Sequence, residues 1–148
     1  MWRMLRNAAL FAAAAALAAP VVAEHRKEVD GLVINIGVVP VSDLMRADSY
    51  ERSQHREPTT SATHHIVVGV ADAKSGTPIG DARVTLELVD PRGGTQRKTL
   101  ERGDAGGVPD YSGLFRFGWS GSYKLKVSVA RGGAATVTSN FTWKQETY

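Results

Sequence analysis

Ala82-Arg83-Val84-Thr85-Leu86-Glu87-Leu88 alternates apolar and polar residues at every step. A period of two places successive side chains on opposite sides of an extended chain, so this stretch predicts a strand with one buried and one solvated face. The same alternation recurs on either side of it. Leu32, Ile34, Ile36 and Val38 share one phase, as do Ile66, Val68 and Val70. Tyr123, Leu125, Val127 and Val129 oppose Lys124, Lys126 and Ser128, and Phe141 and Trp143 oppose Asn140 and Thr142. With residues 95–100 and 111–117 added, about seven strands are predicted. That is the count of an immunoglobulin-like antiparallel β-sandwich in an all-β chain.

Breakers separate these runs. Asp72-Ala73-Lys74-Ser75-Gly76-Thr77-Pro78 and Asp90-Pro91-Arg92-Gly93-Gly94 are turn sequences, and residues 118–121 and 131–133 read as hairpin connections. Two stretches lack periodicity. Residues 42–62 carry many charges, Pro58 and a Thr59-Thr60-Ser61 cluster, and read as one long irregular loop with at most a helical turn near 42–46. Residues 102–110 read as a shorter glycine-rich loop.

The N-terminus has a different character. Arg3 and Arg6 precede an alanine-rich apolar run over residues 8–19, which ends in Val21-Val22-Ala23. A basic start, an apolar middle and a small residue at the cut describe a secretory signal peptide over residues 1–23. The run is shorter than the roughly 20 residues a bilayer requires, so the mature form is expected to have no transmembrane span. The working chain is then a single domain over residues 24–148, exported and soluble in the periplasm. Of 18 basic residues the signal takes two, leaving 16 against 15 acidic ones. A near-neutral chain lacks the basic stripe of a nucleic-acid surface. Cysteine is absent, so neither disulfides nor thiolate metal sites are available.

The segment His65-Ile66-Val67-Val68-Gly69-Val70-Ala71-Asp72, the turn Ser75-Gly76-Thr77-Pro78-Ile79 and the following Asp81-Ala82-Arg83-Val84 form a pattern of strand, Asp, Gly-x-Pro-Ile and Asp-Ala-x-Val. Tyr111-Ser112-Gly113 and Gly121-Ser122-Tyr123-Lys124-Leu125 complete it. The pattern, over about residues 63–143, resembles immunoglobulin-like (transthyretin-like) periplasmic domains. Within these it is most similar to YtkA-like domains, in the circle of CopC-type copper proteins. The resemblance implies the sandwich fold and, more loosely, copper.

One cluster offers chemistry. His64 and His65, with His55 and Met45 upstream, supply imidazole and thioether donors that suit copper; imidazole alone would suit zinc or nickel. Adjacent strand residues face opposite sides, so His64 and His65 share an ion only if the strand is bulged or has not begun there. His25, close to the expected mature N-terminus, is a further candidate ligand whose bland reading is a charged, flexible terminus. Catalysis has little to stand on. Asp104 and Asp110 beside Tyr111 form at most a polar rim, and no Gly-x-Ser-x-Gly elbow occurs. Trp119, in a turn, is either a partner contact or a lid on the sandwich end. The sequence therefore predicts a non-enzymatic exported binding or accessory protein, with metal handling through His64, His65, His55 and Met45 as its sharper form. The alternative is a structural or interaction subunit with an envelope protein as partner and no metal.

Overall fold

Alternation becomes two antiparallel sheets in a computed structural model that describes residues 25–44 and 63–146. The strands are β1 (Arg26–Val29), β2 (Leu32–Pro40), β3 (His64–Asp72), β4 (Arg83–Val89), β5 (Thr95–Thr99), β6 (Glu101–Ala105), β7 (Val108–Phe115), β8 (Gly121–Ala130) and β9 (Val137–Gln145). A single helical turn, α1 (Val41–Leu44), follows β2. One sheet has the order β1-β2-β3-β7-β6, the other β5-β4-β8-β9. Lettered from β2 as A to G with a C′ strand, these are the A-B-E-D and C′-C-F-G sheets of the immunoglobulin sandwich, with β1 added outside strand A.

Every predicted strand forms, and the inward phase is the predicted one. Leu86 pairs with Val127 and Leu88 with Leu125, while Ile34 faces Val70 and Ile36 faces Val68. Together with Tyr111, Phe115, Phe117, Tyr123 and Phe141 these side chains make one continuous core between the sheets. Without disulfides, this burial and the ladder hydrogen bonds hold the domain.

Two strands escape the alternation argument. β1 is joined to β2 by Asp30-Gly31, whose φ values of 47° and 80° describe the two-residue turn that suits strand twist. β6 joins β7 through Gly106-Gly107, with φ of 61° and 86°. The stretch 102–110, expected to be an irregular loop, is thus a hairpin. A second correction concerns residues 118–121. They do not close a hairpin, because β7 belongs to one sheet and β8 to the other, and the chain crosses the sandwich there.

Tyr123 fixes that crossing. Its hydroxyl accepts from Trp119 N–H at 2.9 Å and donates to the Trp119 carbonyl at 2.8 Å. A tyrosine near the start of strand F that bonds the backbone a few residues upstream is the tyrosine corner of immunoglobulin-like domains. Tyr111 does the same work at the opposite end. Its hydroxyl donates to Ile79 O at 3.0 Å and accepts from Ala82 N–H at 3.1 Å, locking the β3–β4 crossing. Tyr111 is therefore core. Where β6 stops short, the Gln96 carboxamide stands in for a strand, donating to Arg116 O at 2.7 Å and accepting from Arg116 N–H at 2.9 Å.

Candidate functional site

β3 begins at His64, and the phase that carries Ile66 and Val68 inward carries His64 inward as well. Only 2 % of His64 is exposed. The residues that gather around it come from every element ending at this pole. Thr63 precedes it, Phe117 follows β7, Gln145 ends β9, and Asp43 lies in α1. The imidazole packs on the Phe117 ring at 4.3 Å between centroids, and Phe117 packs on Tyr123 at 4.4 Å. This stack ties the histidine to the tyrosine corner.

Thr63 Oγ1 accepts from Phe117 N–H at 2.7 Å and shares a second hydrogen bond with His64 Nδ1, 2.9 Å away. Gln145 is the other polar side chain close to the ring, and its Oε1 accepts from Trp143 Nε1 at 3.5 Å. Burial pushes the His64 pKa below the ordinary histidine value, against the raising influence of Gln145 and of the Asp43 carboxylate. At neutral pH His64 is an uncharged imidazole, the form a metal ion would need.

His65 points the other way. It occupies the outer side of the first sheet, between Val39 and Leu114 in register, and is 4 % exposed. β3 runs in regular register from its first residue, so the two histidines are on opposite faces and one ion does not reach both. Met45 and His55 lie outside the described residues. The segment that carries them leaves and returns at this pole, because Val41 N–H donates to Thr63 O at 2.9 Å. Among the described residues, no three histidine or carboxylate side chains come together as a metal-binding group. His25 is not a dangling terminus. Its carbonyl accepts from Ile36 N–H at 2.8 Å and its ring lies 6.0 Å from that of Trp143.

Trp119 sits at the same pole, 43 % exposed, with the Arg92 guanidinium 3.4 Å above its ring. It is half-exposed and cation-capped, and its backbone is bonded to the Tyr123 hydroxyl that backs the His64 stack. The opposite pole holds a cleft of about 500 Å³ lined by Asp72, Asp81, Arg102 and Arg131. Its charges are already engaged. Asp72 Oδ1 accepts from the backbone of Ser75 and Lys74 and from Ser75 Oγ, which hold its pKa down, and Asp81 lies 3.5 Å from Arg131. The Asp and Gly-x-Pro-Ile pattern of the sequence is thus turn chemistry. Thr63, Phe117 and Gln145, which define the His64 site, carry no local sequence signal; only strand phase announces that His64 turns inward.

No helix among the described residues is long and apolar enough to cross a membrane. No protein-family model and no curated protein matches the chain by sequence. Solved structures do match its shape. A DUF4426 family protein from Pseudomonas aeruginosa superposes with a TM-score of 0.63 at 19% identity, over 82% of this chain and 96% of that one. FetP of uropathogenic Escherichia coli gives 0.63 at 15% identity, over 83% and 93%. The copper-reconstituted P19 protein of Campylobacter jejuni gives 0.59 at 16% identity, over 80% and 91%. At these identities the likeness establishes a shared β-sandwich fold.

Proposed function

We propose that this protein is an exported, periplasmic, non-enzymatic binding module that handles a metal ion, copper foremost, at its His64 pole. The observation that carries the reading is His64 itself: an inward, uncharged imidazole at the pole where the ends of the 45–62 segment meet. That segment brings His55 and Met45, the imidazole and thioether donors a copper ion favours. Because His64 and His65 face opposite sides, an ion takes one of them, with His55 and Met45 completing the set. Copper-bound forms of FetP and P19 lend the reading support from proteins of the same fold.

Copper titration against a competing chromophoric chelator tests it. One equivalent should bind, and affinity should fall at least about tenfold, near 1.4 kcal/mol, in His64→Gln and in Met45→Leu/His55→Ala. Circular dichroism would certify the fold of each variant. Folded variants with undiminished affinity would remove the proposal. His65→Ala decides which of the two histidines serves.

A second reading rests on Trp119. An exposed aromatic beside Arg92 is the residue pair most enriched at protein contacts, and it suits an interaction subunit docked at this pole. Co-purification of one envelope protein, lost in Trp119→Ala, would favour it.

A further inference from the structure

The outer face of the β5-β4-β8-β9 sheet departs from the charge balance of the chain. Its strand register lines up Thr99, Thr85, Ser128 and Thr138 as one row of hydroxyls across all four strands. Above and below that row stand Arg83, Arg97, Lys126 and, one step further, Lys124, with Glu87 as the carboxylate among them. Arg83 and Arg97 flank a shallow depression of about 550 Å³, floored by Thr85, Ser128 and the small Ala130. Four strand positions separate the Arg83 level from that of Arg97, which pairs with Glu87, so the two are about 13 Å apart along the strand direction.

We infer that this face is a binding surface for an acidic polysaccharide, a site separate from the His64 pole and independent of any metal. Arginine forks match carboxylate or sulfate groups in two parallel hydrogen bonds, and hydroxyl rows match the hydroxyls of sugar rings. The spacing of the arginines suits acidic groups set apart along an extended chain. The alternative anions fit less well. A face that docks on lipid inserts apolar side chains between headgroups, and here the apolar residues are Val89 and the small Ala130, both half-buried. A single-stranded nucleic acid needs aromatic platforms, and these four strands turn all their aromatics inward or to the pole.

Isothermal titration of the purified protein with a short oligogalacturonate, with a neutral glucan of equal length, and with phosphatidylglycerol vesicles tests the inference. The acidic oligomer should bind, the neutral one should not, and affinity should fall steeply from low to physiological ionic strength. Arg83→Gln/Arg97→Gln should weaken binding about tenfold and Thr85→Val/Ser128→Ala about threefold, with His64→Gln as the control that leaves it unchanged. These exposed or half-exposed positions leave the core intact, and circular dichroism confirms it. Failure of the acidic oligomer to bind, binding indifferent to the arginine variant, or vesicles bound in place of the glycan would each overturn the inference.

Discussion

Replacing Tyr123 by Phe removes one oxygen and nothing else, which makes the tyrosine corner a measurable quantity. The ring keeps its place against Phe117 at 4.4 Å, so the stack that reaches His64 survives. What goes is an acceptor for Trp119 N–H and a donor to Trp119 O, at 2.9 and 2.8 Å. An intramolecular hydrogen bond contributes about 1 kcal/mol net, and orphaned buried partners add their desolvation cost. Trp119 is 43 % exposed, so water can reach the freed groups and the loss stays near 1–2 kcal/mol. Tyr111→Phe is the matched comparison. Its partners, Ile79 O and Ala82 N–H, lie under a side chain that is 5 % exposed and one that is partly buried, so the cost rises to about 2–3 kcal/mol. Urea unfolding of both variants, with unchanged m-values, reads the difference directly; in thermal melts each kcal/mol is about 4 °C for a domain of this size. A loss below about 0.5 kcal/mol for Tyr123→Phe, or one larger than that of Tyr111→Phe, would refute the reasoning.

The remaining expectations concern His64 and two close contacts. His64 has a folded-state pKa depressed below its unfolded value of 6.5, so the unfolded chain binds the proton more readily. Its stabilising contribution is complete above pH 6.5 and is lost as pH falls toward the depressed folded pKa, at up to about 1.4 kcal/mol per pH unit. Urea midpoints across that window should slope in the wild type more than in His64→Phe; parallel profiles would exclude His64 as the titrating group. Gly113 faces the core opposite Ile66, and a Cβ there would come within 3.0 Å of Leu100 Cδ2 and 3.3 Å of Phe115 Cε2. Gly113→Ala should therefore cost about 1–3 kcal/mol by overpacking, with an unfolding midpoint equal to wild type as the contrary result. Gln96→Ala removes both bonds to Arg116 at an exposed edge and should cost about 0.5–1.5 kcal/mol, together with faster amide exchange at Arg116.

How far the sequence could be read follows from where each signal resides. Alternation is local, so the strands around Val84–Leu88 and Tyr123–Val129 were legible, down to which side faces the core. β1 and β6 were not, because Arg26-Lys27-Glu28 and Glu101-Arg102-Gly103-Asp104 have no apolar phase to display. Their hairpins are announced instead by Asp30-Gly31 and Gly106-Gly107, dipeptides that tolerate positive φ at both positions. The 118–121 turn shows the opposite failure. Its composition suits a hairpin equally well, and nothing local says that the next strand pairs in the other sheet. At the candidate site, strand phase places His64 inward and His65 outward. Its neighbours Asp43, in α1, and Gln145, at the end of β9, are far from it in sequence and meet it only through tertiary packing.

In the proposed metal-handling reading, binding and stability would be joined at His64. His64 Nδ1 lies 2.9 Å from Thr63 Oγ1 in the folded protein, so an ion taking that nitrogen would have to displace the hydroxyl. Thr63 Oγ1 also holds Phe117 N–H at 2.7 Å, so drawing Nδ1 away disturbs the residue that links the histidine to Tyr123 and the sheet crossing. Gln145, half-buried at the last position of β9, is already engaged elsewhere, its Oε1 accepting from Trp143 Nε1 at 3.5 Å. In the proposed reading an ion would take His64 through Nε2, with the ring proton on Nδ1 donated to Thr63 Oγ1. A hydrogen-bond acceptor or donor on the non-ligating nitrogen is what holds a metal-binding imidazole in a single orientation, and Thr63 already stands there. The hydroxyl that ties His64 to the core would thus also leave Nε2 as the nitrogen for an ion in that reading.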